Sequence, residues 1–108
     1  MGTALLRDRT SSTEYKRALR GARWMDEQAP GWEAKIDPGK LNISSNRSCI
    51  LGQVWGGFYR ASARYDLGEE QAEDLGVLNR TEDPDEYPRL TSAWQGVLRA
   101  RAAFANAN

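Results

Sequence analysis

One side chain that could take part in catalysis is Cys49, the single cysteine among 108 residues. The sequence contains no histidine. A cysteine nucleophile needs a base to form its thiolate, and histidine is the usual base. Cys49 also lies in an apolar run, where thiols are commonly buried and inert. We therefore expect Cys49 to be a core residue and the protein not to be an enzyme. A lone cysteine cannot close an internal disulfide, which favours a reducing compartment.

Carboxylates are the other candidates for chemistry. Glu69 with Glu73, and Glu70 with Asp74, are one helical turn apart, a spacing typical of a solvated acidic helix face. The acidic loop at residues 82–86 could hold a hard cation weakly, but it lacks the glycine turn and ligand spacing of a calcium loop. We expect neither a metal nor a cofactor.

Three glycines, Gly52, Gly56 and Gly57, surround Trp55. They do not form a phosphate-binding loop, because no Lys-Ser/Thr pair follows them. Each weakens a helix by up to about 1 kcal/mol relative to alanine, which suggests that another group approaches the backbone closely. That group is a neighbouring helix, most simply the one carrying Trp94, or a binding partner. The candidate partner-binding residues are therefore Trp55, expected to be half-exposed, and the three glycines.

Four basic residues near the N-terminus, Lys16, Arg17, Arg20 and Arg23, could share a helix surface that contacts nucleic acid. The formal net charge is zero, however, and residues 66–86 carry nine carboxylates against one arginine. A solvated face, or pairing with the acidic segment inside the molecule, is the preferred reading. Binding of DNA by this first helix stays the alternative.

The composition is that of one globular domain with a modest core, at 40% hydrophobic and 28% charged residues. No run approaches the roughly 20 apolar residues of a membrane span, and the N-terminus lacks the apolar region of a signal peptide. We expect a flexible tail at residues 1–10, one domain at residues 11–105 and a cytoplasmic location.

The first helix is predicted to start at a capping box formed by Ser11 and Glu14 and to end before Pro30. Its apolar side chains recur at helical spacing. They are Tyr15, Ala18, Leu19, Ala22 and Met25.

The middle segment, residues 48–65, fits either a helix or two short strands, and we favour one helix because the apolar repeat continues without a break. Gly68 is predicted to close it in a left-handed conformation. A short helix over residues 69–75 should end at Gly76, and a final helix should begin near Tyr87. Its apolar stripe is Leu90, Trp94, Val97, Leu98 and Phe104. The expected fold class is mostly α, a compact single-domain bundle of about three longer helices plus short helical turns.

The sequence also resembles a family of small proteins from bacteriophages of Actinobacteria, with the pattern ARxLDxxxPGWxxxID followed by CxLGQ. The matches fall between residues 17 and about 101, and Met25 replaces a leucine of the pattern. They are Ala22 to Asp26, Pro30 to Trp32, Ile36 and Asp37, Leu41, Ser44, Cys49 to Gln53, Leu75 and Gly76, and Thr91 to Trp94. No activity is assigned to this family, so the resemblance implies an origin in a bacteriophage but no enzymatic reaction.

Together these observations predict a non-catalytic interaction protein, an accessory protein of a phage that binds a host or phage protein in the host cytoplasm. A homo-oligomer is a further possibility for its assembly. We do not expect a membrane partner.

Overall fold

The computed structural model describes residues 12–107 and contains, within them, five α-helices, two 3₁₀ turns and no strand. The mostly α fold class is thereby confirmed. The predicted tail at residues 1–10 and the proposed cap Ser11 lie outside the described residues. Among the described helices, none is long and apolar enough to cross a membrane.

Helix α1 spans Thr13–Gln28, and its N-cap is Ser12, whose Oγ accepts a hydrogen bond from the backbone N–H of Tyr15 at 3.0 Å. The predicted N-cap at Ser11 is therefore wrong by one residue. The carboxylate of Glu14 pairs with Arg89 of the last helix at 3.2 Å. The predicted stripe is otherwise confirmed, since Tyr15, Ala18, Ala22 and Met25 are all buried.

Two 3₁₀ turns follow, at Trp32–Lys35 and Pro38–Lys40. Gly31 enters the first with a φ of 82°, a left-handed conformation that glycine adopts without a steric penalty. This turn places Trp32 in the core, where its indole N–H donates to Asp26 of α1 at 3.0 Å.

The middle segment is helical, as predicted, but it forms two helices rather than one. Helix α2 spans Ile50–Trp55 and α3 spans Phe58–Arg64. Gly56 ends α2 with a φ of 91°, and its N–H donates to the carbonyl of Gly52. The prediction of one continuous helix is wrong here, because a left-handed residue stops an α-helix whatever the apolar spacing around it.

Helix α4 spans Glu69–Asp74 and α5 spans Glu86–Ala107. The predicted left-handed cap at Gly68 is wrong, since Gly68 has a φ of −76° and precedes α4, while Asp66 carries the positive φ of 51°. Gly76, with a φ of 74°, follows the end of α4 as predicted. In the α5 stripe, Leu90, Trp94 and Val97 are buried and Leu98 is partly buried, but Phe104 is 74% exposed.

The core forms where α1 and α5 run side by side in the same direction, with an ion pair at each end of their contact. The rings of Trp32 and Trp94 meet edge to face at 6.1 Å between centroids, and the Trp94 indole N–H donates to the carbonyl of Gly76 at 2.8 Å. Gly21 of α1 lets Trp94 come this close, because a Cβ there would lie 2.5 Å from the indole ring and would also collide with the carbonyl of Leu75.

We expect Gly21→Ala to destabilise the domain by about 1–3 kcal/mol despite the better helix propensity of alanine, because backbone and a buried ring must move. The matched control is Gly96→Ala in α5, where the added Cβ would meet Tyr15 at 3.3 Å and the flexible end of Arg99 at 3.8 Å. Its free energy of unfolding should stay within about 1 kcal/mol of wild type. Urea unfolding followed by circular dichroism measures both, and equal effects of the two changes would contradict this packing.

Candidate protein-binding surface

The three glycines around Trp55 do not form a groove. Gly52 is buried against the loop before α2, since a Cβ there would lie 2.6 Å from the backbone carbonyl carbon of Arg47. The expectation that the Trp94 helix approaches Gly52 is wrong. Gly56 is an exposed helix end, and Gly57 faces the side chain of Asn46 at about 3.4 Å from where its Cβ would stand. Close packing at Gly52 and the left-handed helix end at Gly56 thus account for two of these glycines, whereas a Cβ at Gly57 would make only ordinary contacts.

Trp55 is half-buried, as expected, and it belongs to a cluster that we call the aromatic surface, made of Trp24, Trp55 and Tyr65. The centroid distances are 6.1 Å between the two tryptophans, 5.4 Å from Trp24 to Tyr65 and 5.0 Å from Trp55 to Tyr65. The rings come from α1, from the end of α2 and from the residue after α3, so three elements fix them. All three side chains remain partly exposed.

One arginine lies over a ring of the aromatic surface, and two more are close to the surface in sequence. The guanidinium of Arg64 lies over the ring of Tyr65, 5.5 Å from its centroid. The Arg60 guanidinium lies against Gly56, next to Trp55, at 3.4 Å from where a Cβ would stand. Arg23 precedes Trp24 in α1, and all three arginines are exposed.

The predicted basic face of α1 is divided. Arg17 is only 2% exposed, and Arg20 pairs with Asp74 of α4 at 3.2 Å. Lys16 and Arg23 alone of the four point to solvent without a carboxylate partner in the described part of the chain. Arg17 is therefore wrongly assigned to a nucleic-acid surface, because its cationic group is needed to neutralise a buried acid.

Arg17 and Glu86 form a buried ion pair at 2.9 Å, with both side chains 2% exposed. The rest of the Arg17 guanidinium donates to the carbonyls of Glu73 and Leu78, each at 2.6 Å. Glu86 accepts hydrogen bonds from the backbone N–H groups of Arg80 and Thr81 and from the Thr81 hydroxyl. This network ties the loop before α5 to α1.

The network lowers the pKa of Glu86 from 4.5 to about 2. Burial works in the opposite direction, and it is outweighed by the hydrogen bonds from Arg80, Thr81 and Arg17. The sequence places Glu86 in an acidic loop and gives no sign that this residue is buried. The separation of basic and acidic segments along the chain was the available signal, and it did not single out either residue.

Cys49 is fully buried, and burial raises the pKa of its thiol although hydrogen bonds from nearby backbone N–H groups oppose the shift. Its Sγ accepts from the backbone N–H of Gly52 at 3.2 Å and so caps α2. A protonated, enclosed thiol of this kind has a structural role.

Within the described residues, no group of three or more Cys, Asp and Glu side chains is arranged to hold a metal ion. In the acidic loop, Asp83 accepts from the backbone N–H of Asp85 and pairs with Arg89, and these contacts lower its pKa. Glu86 forms an ion pair with Arg17. The side chains of Asp83 and Glu86 thus stabilise the loop before α5 and the start of that helix.

A shallow groove of about 810 Å³ runs beside the C-terminal half of α5. Its lining is chiefly apolar, including Ile36, Pro38, Leu98 and Ala102, and its two charged residues, Glu33 and Arg101, pair with each other. Enzyme pockets bring several polar groups to one point, and this groove does not.

No protein-family model, no curated protein and no solved structure matches this chain. The fold and the surface define a small all-α domain whose aromatic cluster is bordered by arginines. The likeness to actinobacteriophage proteins stays a prediction.

Proposed function

We propose that this protein is a non-catalytic binding protein and that the aromatic surface is where its partner protein docks. The observation that carries the proposal is the half-exposed cluster of Trp24, Trp55 and Tyr65 on three elements of the fold. Tryptophan, tyrosine and arginine are enriched among the residues that dominate protein–protein binding energies. All three types occur together here.

The rigidity of the cluster supports the same proposal. Each ring touches the other two, so few side-chain torsions remain to be frozen when a partner binds. Ordering a flexible side chain at an interface costs about 0.5–1.5 kcal/mol, and a preformed cluster avoids much of that cost.

The biological setting belongs to the proposal as well. The resemblance to small phage proteins supports an accessory protein that acts in the host cytoplasm and binds a host or phage protein. Self-association through the same surface would be a special case, and it would appear as a concentration-dependent mass in solution.

DNA binding by the first helix is the alternative function, and the geometry gives it less support. Only Lys16 and Arg23 of the four proposed contacts are exposed and lack an ion-pair partner within the described residues. Nonspecific DNA affinity grows with the number of phosphate contacts, so two cations contribute little affinity. A gel shift on generic duplex DNA at low and moderate salt separates the two functions.

The docking proposal is tested by site-specific photo-cross-linking in lysate of an actinobacterial host. A benzophenone amino acid replaces Gln28, which is exposed and one helical turn from Trp24, and in a control protein it replaces Glu82, which is exposed in the loop before α5. We expect a discrete cross-linked product at position 28, identified by mass spectrometry, and none or a much weaker one at position 82. The same products at both positions, or none at position 28, would contradict the proposal.

A further inference from the structure

The chain segment that supplies most of the aromatic surface carries only positive charges. Residues 38–65, which include α2 and α3, contain one lysine and three arginines but neither Asp nor Glu. These residues supply Trp55, Tyr65 and two of the bordering arginines, Arg60 and Arg64. The chain as a whole has equal numbers of acidic and basic residues, so residues 38–65 form a locally cationic segment.

Among the other arginines of the described residues, Arg17, Arg20, Arg80, Arg89 and Arg101 each pair with a carboxylate, whereas the exposed Arg47 and Arg99 do not. Arg23, Arg60 and Arg64 have no ion pair with any carboxylate in the described part of the chain.

Two carboxylates, Glu27 and Asp66, adjoin the surface in sequence, but neither has a basic group of the described residues within 4.0 Å. Three unpaired arginines thus outnumber them. A partner that brings negative charge would complete ion pairs that the isolated chain leaves unmade.

The rings themselves argue for a protein partner over a nucleic acid. Nucleobases bind by stacking on open ring faces. Here the rings pack on one another at steep angles of 59° to 79°, and Arg64 lies over the ring of Tyr65. These contacts occupy ring faces on which a base would stack, so the surface suits an aliphatic or aromatic side chain better than a nucleobase.

Resting on the docking function proposed above, we propose that the partner presents an acidic segment with an apolar anchor. The anchor packs on Trp55, and carboxylates on either side of it meet Arg60 and Arg64. Long-range attraction between the two charged surfaces would also speed their association at low salt.

The test uses the full chain labelled with ¹⁵N and three probes at equal concentration. One is a 12-residue peptide with Leu and Phe every three or four positions and Glu or Asp elsewhere, the second has Lys in place of every acid, and the third is a 12-nucleotide oligo-dT. The indole N–H signals are the readout. The side chains of Trp32 and Trp94 are buried and their indole N–H groups are hydrogen-bonded, so their signals report an intact fold, whereas those of Trp24 and Trp55 report the surface.

We expect the acidic peptide to shift the Trp24 and Trp55 signals, with at least tenfold weaker binding for the lysine peptide and for the Arg60→Glu/Arg64→Glu variant. Unchanged Trp32 and Trp94 signals in that variant show that it remains folded. Equal binding of the two peptides, stronger shifts with oligo-dT, or no shift with any probe would overturn the inference. Cross-linking at position 28 tests the docking surface independently, since it uses the natural partner whatever its charge.

Discussion

Replacing Arg17 with methionine should lower the free energy of unfolding by about 3–5 kcal/mol, because it leaves the Glu86 carboxylate buried without its counter-charge. Two backbone carbonyls, those of Glu73 and Leu78, would lose their hydrogen-bond donors at the same time. Small domains are stable by only about 5–15 kcal/mol, so the variant should be near its unfolding threshold. Guanidinium unfolding followed by tryptophan fluorescence measures the loss.

Arg20→Met is the matched control, one turn further along α1. Its ion pair with Asp74 is exposed, with 43% and 57% of the two side chains accessible, and pairs of this kind contribute about 0–1 kcal/mol. A loss below about 1 kcal/mol for Arg17→Met would mean that the buried pair does not hold the loop before α5 in place.

The second large effect is on acid stability. Because the pKa of Glu86 is lowered from 4.5 to about 2 in the folded state, its contribution is fully present above pH 4.5 and is lost as the pH falls through about 2. A pKa shift of this size corresponds to a contribution of about 3 kcal/mol to the free energy of unfolding. We expect the free energy of unfolding to fall over this window, and we expect Glu86→Gln to flatten the fall.

Asp83→Asn serves as the control for acid stability. The pKa of Asp83 is also lowered, by the backbone N–H of Asp85 and by Arg89, but its side chain is exposed to solvent and its contribution is screened. This variant should keep the acid-dependent slope of wild type. An unchanged slope in Glu86→Gln would show that other carboxylates cause the acid sensitivity.

The sequence predicts the helical fold because apolar spacing is a local signal. Tyr15, Ala18, Ala22 and Met25 recur once per turn, and all are buried in the structure. The break at Gly56 was missed because the same spacing continues on both sides of it. A left-handed residue ends a helix without altering the apolar pattern.

The sequence favours a solvated basic face or pairing with the acidic segment, and Arg17–Glu86 is a pair of the second kind. Its individual partners could not be predicted from sequence, because they are 69 residues apart. Arg17 adjoins the apolar stripe of α1, and nothing local separates a buried arginine from a solvated one at that position. The aromatic surface was predicted only in part. Trp55 was expected to be half-exposed, but its contacts with Trp24 and Tyr65 depend on how three elements pack.

The cross-linking yield at position 28, compared between wild type, Trp55→Ala and Tyr59→Ala backgrounds, tests the docking surface most directly. Tyr59 is 74% exposed and contacts Phe58 rather than the aromatic surface, so it controls for loss of an exposed ring. If the partner docks there, we expect at least a tenfold lower yield with Trp55→Ala and an unchanged yield with Tyr59→Ala, in proteins shown to be folded by circular dichroism. An undiminished yield with Trp55→Ala would contradict docking at this surface.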